Sequence, residues 1–306
     1  MVAEMDVDER PHSIMGKRGR GDAKYAFYAR FPSGVVLKSW VSGIASILHE
    51  CTFHVTVDGG FSGFSVESID TPRVCMIQSR LPVCAIEGSA TQFCLRLSNL
   101  ILCLKNCGAS QVVDVWVLEG CCDVYVATFE PGAVGGFNQV HKIKSLERVD
   151  PEYAINDMKH DIFVELDVAT FKTVIRGAKE HRVKEMQMSV YLSRKDEGCA
   201  IFVMDYCGDE VSGRVSFGCQ GPHDYKSTGN LTLSLANGTE PVPSDMDEEH
   251  FERLFAQIFS VEYLTLFANV GERSPVLLRL SAGLPLFMEI PYSNGGFTRF
   301  VLAQNV

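Results

Sequence analysis

Two series of secondary-structure signals run one after the other along this chain in the same order. That repetition restricts the folds open to it more than any single motif does. Apolar residues recur at helical spacing in four segments. They are Leu37, Val41, Ile44 and Leu48 within 33–50, and Leu97, Leu100, Ile101 and Leu104 within 91–107. The second pair is Phe171, Val174, Ile175 and Ala178 within 168–182, and Phe251, Leu254, Phe255 and Ile258 within 247–270. Runs of strand composition lie between and after them, at 53–57, 111–118, 123–129, 186–192, 199–205 and 276–281. The first and third helices are each followed by a strand, a glycine-containing turn (58–60 and 195–198) and further strands. Two copies of one plan account for the order, with 145–160 as the strap between them. Helices do not alternate one to one with strands, so a doubly wound parallel sheet is not expected. The pattern predicts an α+β fold, with antiparallel sheets and helices on one face.

The 306 residues suffice for two domains, each with its own core. No apolar run has the length of a membrane span. The N-terminal 24 residues cluster Gly16, Gly19 and Gly21 with Lys17, Arg18 and Arg20, and read as a flexible tail. They have no apolar core, so no secretory signal is expected there. Eleven cysteines without such a signal indicate a reducing compartment, and none falls in a C-x-x-C pair. The eight histidines are scattered singly, GGFSGFS lacks the G-x-S-x-G spacing, and no nucleotide fingerprint follows a strand. Catalysis, metal and cofactors are therefore not expected.

Net charge is −10, which by itself speaks against nucleic acid as partner. The distribution says otherwise. The first three helical segments carry Lys38, Arg96, Lys105, Lys172, Arg176, Lys179 and Arg182 against Glu50 and Glu180. Lys172, Arg176 and Lys179, at i, i+4 and i+7, form a stripe about 100° around the helix from Phe171. A cationic face of this kind attracts phosphates irrespective of base sequence, while an acidic exterior repels them elsewhere.

The segment Ser68-Ile69-Asp70-Thr71-Pro72-Arg73-Val74 resembles the strand, corner and strand after the first hairpin in sliding clamps of the proliferating cell nuclear antigen family. The C-terminal run SPVLLRLSAGLPLFMEIPYSNGGFTRFVLA, 274–303, looks like that family's last hairpins, and 97–108 is similar to its second helix. The likeness runs over about 25–306. It implies two topologically similar clamp domains, 25–144 and 161–306, joined by a connector at 145–160, with sheets outside and helices lining a central channel. It further implies a homotrimeric ring around double-stranded DNA in the nucleus, placed there by a clamp loader and tethering a DNA polymerase and repair proteins. The seven cations named above would face the channel. A pocket for a short apolar–aromatic partner peptide would use Ile69, Arg73, Val74, Met76, connector residues Tyr153 and Ile155, Pro285, and the tail Val301, Leu302 and Ala303. Subunits would join through strand edges at 139–146 and 211–219, with Val140, Ile143 and Leu146 meeting Val211, Val215 and Phe217. Asp70 would cap its corner through backbone N–H groups.

The chain departs from the family pattern in places. Ala45 and Leu102 stand where basic residues are expected, and the last helical segment carries Asp247, Glu248, Glu249, Glu252 and Glu262 against Arg253. Asn269 replaces a common lysine, and Gln304-Asn305-Val306 lacks the usual proline and basic pair. An alternative within the same fold is a subunit of a heteromeric checkpoint-type clamp or a non-ring viral processivity factor.

Overall fold

The computed structural model describes residues 24–57, 61–83, 85–130, 139–147, 158–195, 199–208, 211–220, 231–235, 250–268, 275–292 and 294–304. In the first half, β1 (Tyr25–Phe31) enters α1 (Gly34–Ala45). Strands β2 (Glu50–Thr56), β3 (Gly63–Ile69), β4 (Cys75–Pro82), β5 (Ala85–Gly88) and β6 (Thr91–Arg96) lead into α2 (Leu97–Leu104). Then β7 (Val112–Leu118), β8 (Asp123–Phe129) and β9 (Gln139–Lys144) follow. The second half repeats the order. β10 (Ile162–Leu166) enters α3 (Val168–Glu180), and β11 (Glu185–Ser193), β12 (Cys199–Cys207), β13 (Ser212–Gln220), β14 (Leu231–Leu235) and β15 (Phe251–Ser260) lead into α4 (Val261–Ala268). The last strands are β16 (Val276–Leu280), β17 (Leu286–Pro291) and β18 (Phe297–Leu302).

Each half contributes to two sheets. One five-stranded sheet runs β5-β1-β7-β8-β9, and a four-stranded sheet runs β13-β12-β11-β15. The nine-stranded sheet, β14-β10-β16-β17-β18-β4-β3-β2-β6, is a five and a four fused edge to edge where β18 pairs with β4. Matched strand by strand through their registers, β9 is the counterpart of β18, and β13 that of β4. Buried Ile143 corresponds to buried Leu302, and buried Phe217 to buried Leu81. Among the described residues β9 and β13 pair on one side only, so the two edges that are joined in the nine-stranded sheet are free in the others.

The inner face of the β18–β4 joint is covered by one helix from each half. Phe267 of α4 stacks on Phe300 at 4.4 Å between centroids. Trp40 of α1 donates from Nε1 to Ser79 Oγ at 2.6 Å, and Ser79 lies 2.6 Å from Thr298 Oγ1, which Tyr292 OH meets at 2.7 Å. Trp40, Ser79 and Thr298 are buried and Tyr292 is half-buried, beside a core that also contains the stacked Phe27, Phe53 and Phe93. Buried polar atoms that are mutually satisfied fix register without a desolvation penalty.

Three expectations change. The segment 247–270 is not one helix: 251–260 is strand β15, and only Val261–Ala268 is helical. Phe255, Gln257 and Phe259 point inward, and Ile258 is 39% exposed on the other face. Of the five acidic residues assigned to that helix, only Glu262 is on it; Glu252 is on β15, and 247–249 lie outside the described residues. Likewise 91–96 is β6, so the second helix shortens to eight residues. The sheets are antiparallel except for one parallel pair, β10 with β14. In the first half, where two residues separate β4 from β5, the equivalent pair is antiparallel. Ten residues, 221–230, separate β13 from β14, which allows entry from the other end.

Candidate functional site

α3 is the only described helix with a stripe of cations. Its N-terminus is capped by Asp167, whose carboxylate accepts from Thr170 N at 2.9 Å, an interaction of about 1 kcal/mol. Val168, Phe171, Val174, Ile175 and Ala178 are buried, which turns Arg176 and Lys179 to solvent and leaves Lys172 half-exposed beside them. The remaining expected channel residues are differently placed. Arg96 and Lys105 flank α2 as its N-cap and C-cap and are exposed. Lys38 is engaged: its Nζ donates to Lys105 O at 2.7 Å, so its charge sits at the C-terminus of α2, where the helix dipole favours a cation. Leu102, 69% exposed, is the most solvent-facing large apolar side chain of the described residues. Arg182 follows α3 in the left-handed region, at φ 55°.

The corner between β3 and β4 is organised by Asp70. Its Oδ1 accepts from Val74 N at 2.8 Å and Cys75 N at 2.9 Å, and its Oδ2 accepts from Tyr263 OH of α4. The expected cap is present, and it also ties the corner to a helix 193 residues away. Burial, then the nearby Asp70 carboxylate, pushes the Cys75 thiol above its ordinary range. Burial first, and the hydrogen bond to Asp70 second, do the same for the Tyr263 phenol.

On the sheet face away from the helices, register aligns Ile69, Met76, Val301 and Phe287 in one row across β3, β4, β18 and β17. Beside it runs a polar ladder: Gln78 Nε2 donates to Glu67 Oε1 at 2.8 Å, and Arg299 donates to Gln78 Oε1 at 3.0 Å and Glu289 Oε2 at 2.7 Å. At the far end of the row His160 meets Phe287 edge-on at 4.6 Å, and its ring nitrogens face Met158 O at 3.0 Å and Pro285 O at 3.4 Å. Ala303 N donates to Val74 O at 2.9 Å, which closes the corner end.

The expected pocket is thus partly reassembled. Ile69, Val74, Met76 and Pro285 are half-buried, Arg73 and Ala303 exposed, and Val301 joins the row but is buried in it, as Phe287 is. Leu302 does not line it: fully buried, it faces the helices with Phe300. Tyr153 and Ile155 lie outside the described residues. Phe287, His160 and Tyr263 were missed. Phe287 alternates with buried Leu286 and Met288, a both-faces-buried signal that sequence alone reads as plain core.

At the free edges, Val140 and Val211 are 45% and 40% exposed, and Val215 is half-buried. Ile143 and Phe217 face their own cores, Phe217 stacking on Phe202, so neither offers a side chain to a neighbour. Leu146 leaves the edge to bridge Cys94, its N–H donating to Cys94 O at 2.8 Å.

Replacing Tyr263 with Phe removes a hydrogen bond to a carboxylate and should cost about 1.5–3 kcal/mol in denaturant unfolding. Because the folded phenol pKa is raised from 10.0, its contribution is full below that pH and is lost as pH rises. The variant should show correspondingly less alkaline destabilisation.

No known protein-family model matches the sequence, and no curated protein does. Solved structures do. Proliferating cellular nuclear antigen from Entamoeba histolytica matches with a TM-score of 0.70 at 16% identity, covering 92% of this chain and 100% of its own. PCNA from Thermococcus kodakaraensis matches at 0.68 and 16%, covering 91% and 100%. The PCNA2–PCNA3 complex from Sulfolobus tokodaii matches at 0.67 and 13%, covering 91% of this chain and 99% of the matched chain. The chain has the fold of the PCNA-type sliding clamps.

Proposed function

We propose that the chain is one subunit of a ring that encircles duplex DNA, slides along it, and tethers a polymerase or other DNA-acting proteins to it. The observation that carries this reading is the pair of free edges. β18 and β4 join antiparallel within the chain; their counterparts β9 and β13 each have one edge without a partner strand among the described residues, and two copies can repeat the same joint between them. The contact is heterologous, so copies add head to tail and close when the rotation permits, at three in the clamps this chain resembles. In the register of the internal joint, where Phe300 opposes Ile77 and Arg299 opposes Gln78, His141 would oppose Gly213 and Val140 would oppose Arg214.

In such a ring the helices share one side of the sheets, and the α3 stripe meets the phosphates. Scattered lysines and arginines without base-reading geometry give weak, sequence-independent contact, which suits sliding. Ile69 and Met76, the half-buried part of the apolar row, would take a partner's apolar–aromatic anchor, with affinity from burial and orientation from the corner. No step of this mechanism is catalytic. A clamp loader would open the ring, in the nucleus or the replication compartment of a viral host cell.

Light scattering tests the assembly: about three times the 33.8 kDa chain mass is expected, with retention on circular DNA and release from linear DNA. A single-copy mass with no retention on either would end the reading. The weak pairing of His141 with Gly213 favours one variant of it, a ring that closes only with a second kind of clamp chain. Mixing experiments would separate the two.

A further inference from the structure

A pocket of about 700 Å³ opens between the end of α3, the first turns of α4 and Val74. Val74, Val261 and Leu266 give it an apolar floor, and Lys179, Arg182 and Lys184 stand around it. Two carboxylates, Glu185 and Glu262, are also present, but Glu262 lies in the first turn of α4, where the helix N-terminus offsets its charge. In a chain of net charge −10, three cations around one concavity are an exception.

A second observation concerns the backbone. Among the described residues, two that are not glycine adopt the left-handed conformation, both of them arginines, and one of the two lines this pocket. Arg182, at φ 55°, lines it; Arg73, at φ 61°, immediately precedes Val74. Arg182 occupies the position after α3 that glycine usually takes, with Arg182 N donating to Lys179 O at 2.9 Å and Val183 N to Ala178 O at 3.0 Å. An L side chain there costs about 1–2 kcal/mol. Strain kept at Arg182, where glycine would be unstrained, points to a use for its side chain.

We propose that this pocket receives an anionic side chain, aspartate, glutamate or phosphoserine, from the segment flanking a partner protein's anchor. The inference rests on the reading of the neighbouring apolar row as a partner groove; Val74, which lines the pocket, accepts from Ala303 N at the corner end of that row. A peptide side chain can enter a concavity floored by valine and leucine. The backbone of a duplex would meet the convex stripe of α3, which shares only Lys179 with the pocket. Arginine and lysine then supply charge-assisted hydrogen bonds to the carboxylate or phosphate.

The test is Arg182→Gly, which removes the guanidinium at a position where glycine is at ease, so the fold should melt at an unchanged or slightly higher temperature. Three peptides are compared by fluorescence anisotropy: an apolar–aromatic anchor with a flanking phosphoserine, the same with serine, and the phosphoserine flank without the anchor. The wild type should bind the first about tenfold tighter than the second, and the variant should bind both alike. Equal affinities in the wild type overturn the pocket while leaving the groove. If neither anchored peptide binds, the groove reading fails, and the flank alone decides: weak binding lost in Arg182→Gly upholds the pocket, and no binding sinks it. Loss of duplex affinity with peptide affinities unchanged would assign the arginine to nucleic acid and overturn the proposal.

Discussion

Changing Gln139 and Val140 together to aspartate should leave single copies in solution. On β9 both side chains lie at a free edge, half-buried and 45% exposed, so the isolated chain loses little. Across two copies they would stand in a closed antiparallel joint, opposite Val215 and Arg214 in the register of the internal one. Arg214 is already engaged by Asp205, with Nε at 2.6 Å from Oδ1, so it does not neutralise a new carboxylate well. A buried, poorly paired charge costs about 3–5 kcal/mol, or roughly 100-fold or more in the association constant per joint. A ring of several such joints disperses at any ordinary concentration. Sedimentation should give one chain mass, with far-ultraviolet circular dichroism and melting temperature unchanged. Val211→Asp, on the partner edge, should act the same way. A persistent oligomer in both would show that assembly uses other surfaces.

The second large effect belongs to α3. Lys172, Arg176 and Lys179 changed together to alanine should shorten retention on circular DNA by about tenfold or more at moderate salt, and flatten its salt dependence. Each cation lost removes about one counterion released per phosphate contacted, so the slope of log affinity against log salt falls by about 0.9 per contact. Alanine is the best helix former, and the buried face of α3 is untouched, so the chain should remain folded. Lys38→Ala is the contrast. Its Nζ caps α2, so it should cost about 0.3–1 kcal/mol of stability with little change in salt slope. Equal effects from both variants would mean that the channel is not read through one helix.

The repeat of elements was legible because each half repeats its own local signals, and α3 because its apolar and cationic faces are cleanly segregated. β15 was not legible. Phe251, Leu254, Phe255 and Ile258 fall at helical spacing, while the true alternation is disguised by a polar residue inside and an apolar one outside. Gln257 is buried because its amide reaches the turn at 281–284, and Ile258 faces solvent. A register shift opposite Val190 and Tyr191 blurs the period further. The candidate site was half legible for a different reason. The Asp70 cap is local and visible in the corner's own residues, whereas Tyr263, His160 and Phe287 reach the site through pairings of distant segments. The cation at position 38 was visible, but its engagement by the carbonyl of residue 105 was not.

The joint inside the chain and the one proposed between copies would not be filled alike. Phe267, Phe300, Ile77 and Trp40 pack the one inside the chain, and their counterparts are Cys103, His141, Gly213 and Val174, with the Tyr206 ring lying where a side chain on Gly213 would be. If copies close as proposed, the less well packed joints between molecules would part before the joint inside any one of them, so opening the assembly need not unfold a chain.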